Sequence, residues 1–192
     1  MRTKKELARM LLRDDIISSE EVEIVEYGLE NLGSNLLGML ITMAIGYFFS
    51  FLPGSVLLWL MIFLLRKNAG GYHASTRGRC MLFSTAVLLV SFVIFVRLSF
   101  PEIIYVMTAV FSFAIILFMA PVENENKHLD QMEHRVYRKR TMLILVLEGT
   151  LYVMAFFFHW KGLIIVLTMD FFIVAVTLLV GKLKLLRKNE TS

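Results

Sequence analysis

The chain has 192 residues, 57% of them hydrophobic, and its mean hydropathy is +0.69. Soluble domains are about 45–50% apolar, so this excess argues against an ordinary soluble fold and predicts one integral membrane domain with little room for a second. The formal net charge is +4, which in a membrane protein indicates basic cytoplasmic loops rather than a nucleic-acid partner.

Residues 1–30 combine charges with spaced apolar side chains and predict an amphipathic helical region. Leu7 and Leu11 share one helical face, and Ser18 and Glu21 have the spacing of a capping box. The region either lies on the membrane face or against the bundle, or it is a solvated helix. No apolar stretch of secretory-signal length follows the first charges, so we expect the first membrane helix to direct insertion.

Six hydrophobic segments follow, which predicts an all-α, polytopic bundle over residues 31–181 and a basic cytoplasmic tail over residues 182–192. Because a spanning helix needs about 20 residues, the second segment is too short alone. It is either completed by the stretch Arg66–Gly71 or a half-spanning helix, and Pro53-Gly54 before it predicts a turn. The segments are Asn31–Leu52, Ser55–Leu65, Met81–Val96, Ile103–Ala120, Thr141–Trp160 and Gly162–Gly181.

The basic residues are distributed unevenly between the two sides of this bundle. Of the 20 Lys and Arg residues, 18 lie before the first segment, in the loops 66–80 and 121–140, or in the tail. Only Arg97 and Lys161 fall on the opposite side. By the positive-inside rule, both termini and both long loops face the cytoplasm.

The loop "RKNAGGYHASTRGRC" contains the only cysteine of the chain, Cys80, and a histidine, His73. Cys80 opens the third segment, where the helix dipole and the adjacent Arg77 and Arg79 favour a thiolate. A Cys–His pair is the minimal unit of nucleophilic thiol catalysis. The alternative is a cysteine that only packs and a histidine that is merely polar. One cysteine and scattered histidines predict no metal site, and we expect no cofactor.

This loop resembles the central motif of the accessory gene regulator B family, bacterial integral membrane peptidases that mature quorum-sensing peptides. Arg66, Gly71, His73 and Cys80 fall at the spacing of that motif. The stretch "PVENENKHLD", from Pro121 to Asp130, is similar to the family's P-x-x-N-x-N-K loop, although a histidine stands where a proline is usual. The resemblance covers nearly the whole chain.

The resemblance implies a cysteine endopeptidase that acts on an AgrD-like propeptide with an amphipathic leader, a central signal and an acidic tail. Cys80 would attack the bond between signal and tail, and His73 would take the thiol proton. The signal would remain on the enzyme as a thioester until an internal cysteine or serine closes a thiolactone or lactone. Gly71 would shape the loop. The basic residues nearest the substrate tail would be Arg66, Lys67, Arg77 and Arg79.

Two acidic residues within the membrane segments are also consistent with a different class of protein. Glu148 and Asp170 lie within the fifth and sixth segments and are close enough in depth to meet. They form either a structural pair or the path of a small transporter or peptide exporter, in which Cys80 is incidental. No third catalytic residue is evident, and Asn68 is the nearest candidate. The resemblance also implies a homodimer, for which "GLENLGSNLLG" offers small residues.

Overall fold

The computed structural model describes residues 21–72, 76–98, 100–123 and 130–190, without the side chains of Arg77 and of residues 188–190. Of these residues, 88% are helical and none lies in a strand. The described helices are α1 Val22–Phe48, α2 Leu52–Ala69, α3 Arg77–Phe92, α4 Glu102–Met119, α5 Gln131–Phe157 and α6 Lys161–Glu190. With the turn that extends α3, all six are long and apolar enough to cross a membrane, which confirms the all-α polytopic fold.

Helix α1 joins two units of the chain, residues 1–41 and residues 42–192. It begins at Val22, so one continuous helix includes the end of the predicted amphipathic region and most of the first hydrophobic segment. The predicted capping box lies partly, and the apolar face before it entirely, outside the described residues.

The turn between α1 and α2 lies at residues 49–51, so the prediction of a turn at Pro53-Gly54 is wrong. A proline fits the first turn of a helix, because the N–H that it lacks would have no partner there; the proline therefore begins α2. A Cβ on Gly46 would lie 2.2 Å from Ser55 Oγ, so only glycine allows this close hairpin. Helix α2 continues to Ala69 and is about 27 Å long. The second segment is therefore completed by residues after Leu65, as one of the two alternatives predicted, and is not a half-spanning helix.

Helix α3 begins at a side-chain cap and ends in a widened turn. Thr76 Oγ1 accepts a hydrogen bond of 3.4 Å from the backbone N–H of Arg79. At the other end, Val93–Arg97 forms a π-helical turn, and the hydroxyl of Tyr105 donates to the carbonyl oxygen of Phe95 at 3.2 Å. That contact satisfies a carbonyl within the altered turn.

Helix α6 occupies the centre of the second unit. About two thirds (67%) of its most apolar stretch is buried, against 28% or less in every other helix. It packs against α2, α4 and α5, and a helix surrounded in this way is expected to be apolar on all sides. Large exposed side chains such as Leu82, Phe111 and Phe118 face away from the bundle, as expected of a lipid-facing surface. Fully buried core residues include Leu58, Leu65, Ile116, Leu145, Leu167, Val174 and Leu178.

Candidate active site around Cys80

Helices α2 and α3 bring Arg66 next to Cys80. The Arg66 guanidinium lies close enough to the Cys80 side chain for the two groups to interact by hydrogen bonding and by charge. The same group donates from Nη1 to Ser84 Oγ at 3.3 Å and from Nη2 to the carbonyl oxygen of Tyr72 at 3.1 Å. Cys80 and Ser84 are one helical turn apart and share one face of α3. One arginine therefore connects the thiol, a hydroxyl and the loop.

The position of Arg66 gives the thiol a fixed positive neighbour. Arg66 is half-buried, and a guanidinium stays charged in proteins. A cation beside a cysteine stabilises the thiolate relative to the thiol. The sequence suggested this effect from Arg77 and Arg79, which precede Cys80 in the chain. The structure adds a stronger candidate from a different helix, because Arg66 contacts the thiol directly.

The chain that leads from α2 towards His73 is held by backbone contacts. Gly70 has φ 74° and ψ −144°, a conformation that is essentially restricted to glycine. It forms a parallel bridge with Val122, whose N–H donates to the carbonyl oxygen of Ala69 at 3.0 Å. A Cβ on Gly70 would lie 2.2 Å from the Val122 carbonyl oxygen. The start of the 121–140 loop therefore lies directly against the motif.

The next two residues of the loop lie against α6. The Tyr72 N–H donates to the carbonyl oxygen of Thr177 at 2.8 Å. Gly71 has φ 125°, and a Cβ there would lie 3.3 Å from the backbone of Thr177. A Cβ on Gly181, one turn later on α6, would lie 2.8 Å from both Gly71 C and Tyr72 N. Facing glycines thus give Tyr72, the residue before His73, a fixed backbone position.

The Tyr72 side chain is also held from two sides. Its ring lies 4.7 Å from the ring of Phe83 on α3, measured between centroids. Lys184 Nζ on α6 lies 5.7 Å from the Tyr72 ring centroid, within the range of a cation–π contact. These contacts link the loop to both helices that flank the site.

A second arginine holds the segment that supports Gly70. Arg138 on α5 donates from Nη2 to the carbonyl oxygen of Leu117 at 3.1 Å, and from Nη1 to that of Ala120. Both carbonyls belong to the end of α4, where backbone oxygens lack partners within the helix. Arg138 therefore fixes the chain just before Val122, which contacts the motif.

The other predicted site residues are described to different extents. His73 lies outside the described residues, and so does the side chain of Arg77. Lys67 is exposed, with its Nζ 5.8 Å from the ring centroid of a phenylalanine one turn earlier. Arg79 is exposed, and its backbone amide takes part in the cap of α3. Asn68 donates its side-chain amide to a carbonyl of its own helix at 2.9 Å.

Sequence reasoning missed several residues that contact the site. Ser84 follows Cys80 at the i+4 spacing of one helical face, so the sequence did contain a signal for it. Thr177 and Gly181 have no such signal, because they lie about 100 residues from the motif in the chain and meet it only through packing. Among the residues that the structure describes, no group of three or more His, Cys, Asp or Glu could hold a metal ion.

The two intramembrane acids do meet, at the interface of α5 and α6. Glu148 and Asp170 are 2% and 0% exposed, and their carboxyl groups contact each other. Within the described part of the chain, none of their four oxygens has a hydrogen-bond donor from another residue. A proton held between the two carboxyls would supply the missing donor and remove the repulsion of two buried charges. The contact fits either a structural pair or a proton-carrying group.

Comparison with known proteins identifies the family. The family model for accessory gene regulator B, AgrB, matches residues 4–180. Searches of curated proteins and of solved structures returned no match. Family membership indicates a role in the processing of the agr quorum-sensing peptide in a membrane. The match spans most of the chain, including all six hydrophobic segments up to residue 180, and the chain is therefore a multi-pass membrane protein that belongs to the accessory gene regulator B family.

Proposed function

We propose that the protein is a membrane cysteine endopeptidase that cleaves the C-terminal tail from an AgrD-like propeptide. Cys80 forms a thioester with the signal segment, and a side chain of that segment then displaces it to give a cyclic thiolactone or lactone. The observation that carries this proposal is the contact of the Arg66 guanidinium with the Cys80 thiol. A cysteine that only packed would not need a half-buried cation beside it.

Different residues act on the nucleophile and on its proposed base. Arg66 stabilises the Cys80 thiolate and, through the carbonyl oxygen of Tyr72, ties the loop to the same site. His73 follows directly in the chain, and in the proposal it takes the thiol proton and returns it to the leaving amine. The hydrogen bond from Tyr72 to Thr177 holds the backbone of the residue that precedes this base in the chain.

Cyclisation follows from the energetics of the thioester. Exchange of one thioester for another is nearly isoenergetic apart from ring strain, so no nucleotide or cofactor is needed. Hydrolysis would be strongly downhill, and exclusion of water by the surrounding helices favours the substrate's own nucleophile. The attack by a cysteine of the substrate yields a thiolactone, and the attack by a serine yields a lactone.

The basic residues around the site suit a substrate with an acidic tail. Lys67 and Arg79 are exposed, and they belong with Arg77 to the loop in which the sequence concentrates positive charge. Attraction by such a loop raises the local concentration of an anionic peptide. In the proposal this loop faces the cytoplasm, where the propeptide is made, as predicted from the distribution of the 20 basic residues.

Trapping the intermediate tests the proposal most directly. The probe is a synthetic AgrD-like propeptide with an amphipathic leader and an acidic tail, whose internal cysteine or serine is changed to alanine. Incubated with the protein in nanodiscs, it should be cut once and remain attached to Cys80 as an adduct that neutral hydroxylamine releases. Cys80→Ala should give neither adduct nor cleavage. Cleavage by Cys80→Ala would refute the mechanism, and hydrolysed signal without any adduct would indicate a simple protease.

A small transporter or peptide exporter remains a second candidate because of the buried Glu148–Asp170 contact. The double substitution Glu148→Gln and Asp170→Asn keeps hydrogen-bonding groups but removes the carried proton. If the protein is a transporter, this variant should no longer move peptide across the membrane of proteoliposomes, whereas Cys80→Ala should still do so. In the endopeptidase, only Cys80→Ala should lose product.

We also propose that the protein forms a homodimer through α1. The small residues of the stretch 28–38 would allow two helices to approach closely in the membrane. Native mass spectrometry of the protein released from detergent micelles should then give twice the 22.1 kDa of one chain, and Gly28→Leu should shift the population to monomers. A monomer in the unmodified protein would exclude this assembly.

A further inference from the structure

The backbone amides closest to Cys80 in the chain are already engaged. Hydrolases with a serine or cysteine nucleophile stabilise the oxyanion of the tetrahedral intermediate with preorganised donors, often backbone N–H groups near the nucleophile. Here the Cys80 N–H donates to the carbonyl oxygen of Thr76 at 3.1 Å, and the Arg79 N–H donates to Thr76 Oγ1 at 3.4 Å. The helix and its cap therefore use both amides, which points to side-chain donors.

Ser84 has the position and the hydrogen for this role. It lies one turn after Cys80 on the same face of α3, and its oxygen accepts from Arg66 Nη1 at 3.3 Å. In that bond the serine oxygen is the acceptor, so the bond does not use the hydroxyl hydrogen. Ser91, on the same helix, instead donates its hydrogen to the carbonyl of Val87 at 2.8 Å, the common arrangement within a helix.

We propose that the Ser84 hydroxyl and the Arg66 guanidinium form the oxyanion site of the peptidase, an inference that rests on the function proposed above. Arg66 donates to the Ser84 oxygen, which polarises the hydroxyl and directs its hydrogen away from the guanidinium. Arg66 also contacts the thiol, so the positive charge lies near the place where negative charge moves from sulfur to oxygen. Ser84 is thereby a catalytic residue that contacts the reacting oxygen.

The Ser84 hydroxyl donates to the same substrate oxygen in both half-reactions, with the charge of Arg66 behind it. The Cys80 thiolate attacks the substrate carbonyl carbon, a C–S bond forms, and the π electron pair moves onto oxygen, where Ser84 donates. Collapse restores the carbonyl and breaks the C–N bond, and the leaving amine takes a proton from protonated His73. In the second half-reaction the substrate thiol or hydroxyl gives its proton to His73 and attacks the thioester. The oxyanion forms again, and Cys80 leaves as thiolate.

Substitution of Ser84 distinguishes stabilisation of the oxyanion from stabilisation of the Cys80 thiolate. Ser84→Ala should slow adduct formation with the modified propeptide by about 100-fold with little change in KM, because a single oxyanion donor is lost. Alkylation of Cys80 by iodoacetamide forms no oxyanion and should stay within about twofold of the unmodified protein. Ser84→Thr keeps a hydroxyl and should restore most of the rate. Ser91→Ala is the matched control and should leave both rates unchanged.

Each outcome decides the proposal. Normal adduct formation by Ser84→Ala, or equal slowing of adduct formation and alkylation, would overturn it. Should the alanine variant fail to insert, Ser84→Gly, which also lacks the hydroxyl, takes its place. Cys80→Ala is measured beside them. If that variant still cleaves, the proposed function itself fails; if it does not and Ser84→Ala cleaves normally, only the oxyanion site is wrong.

Discussion

Gly181→Ala tests whether α6 positions the catalytic loop. The added Cβ would lie 2.8 Å from Gly71 C and from Tyr72 N, whereas ordinary contact begins at 3.4 Å. The loop must therefore retreat by about 0.6 Å, which stretches the 2.8 Å hydrogen bond from Tyr72 to Thr177 to the limit of useful geometry. The added methyl group thus displaces the residue before His73, although Gly181 is more than 100 residues away from it in the sequence.

The effects of this substitution on stability nearly cancel, whereas its effect on catalysis does not. Loss of the hydrogen bond costs about 1 kcal/mol, and replacing glycine by alanine inside a helix contributes about 1 kcal/mol in the opposite direction. The free energy of unfolding should therefore change little. A displacement approaching 1 Å at a catalytic group costs about 100-fold in rate, so we expect cleavage to fall by about 10- to 100-fold.

The assay compares Gly181→Ala with Gly162→Ala. Gly162 lies on the same helix, and a Cβ there would meet nothing within 4 Å, so its substitution should leave cleavage unchanged. Both variants are reconstituted in nanodiscs, and propeptide cleavage is measured together with the thermal unfolding midpoint. Cleavage by Gly181→Ala at the rate of the Gly162→Ala control would refute the claim that α6 positions the loop. An unfolding midpoint that falls together with the rate would instead indicate a general loss of structure.

Three further outcomes are expected. Arg66→Lys should slow alkylation of Cys80 by about tenfold, because an ammonium cannot hold the thiol, Ser84 and the Tyr72 carbonyl at once. An unchanged rate of alkylation would show that Arg66 does not stabilise the Cys80 thiolate. Arg138→Ala should lower the free energy of unfolding by about 1–3 kcal/mol, since two carbonyls at the end of α4 lose a charged donor, and an unchanged chemical-denaturation curve in detergent would contradict that. Impermeant thiol reagents should label Cys80 in inside-out vesicles but not in intact cells, and labelling of intact cells would reverse the predicted orientation.

The sequence was sufficient for the number and type of the membrane segments. Long apolar runs predict spanning helices because the bilayer core leaves no partner for an unpaired backbone group, and the six predicted segments correspond to α1–α6. Helix ends were predicted less well, because they depend on local geometry that hydropathy does not contain. Pro53 is the clearest example: it was expected in a turn, but its missing N–H suits the first turn of α2.

What the sequence by itself determined is the motif, from Arg66 to Cys80, and with it the family, because residue types at fixed spacing are carried in the chain. What only the tertiary structure decided is which groups contact the thiol and the loop. Arg66 reaches Cys80 from a neighbouring helix, and Thr177 and Gly181 hold Tyr72 from a helix about 100 residues away. Such contacts arise from helix packing, in which side-chain volume and close backbone approach select the partners, and neither leaves a local pattern in the sequence.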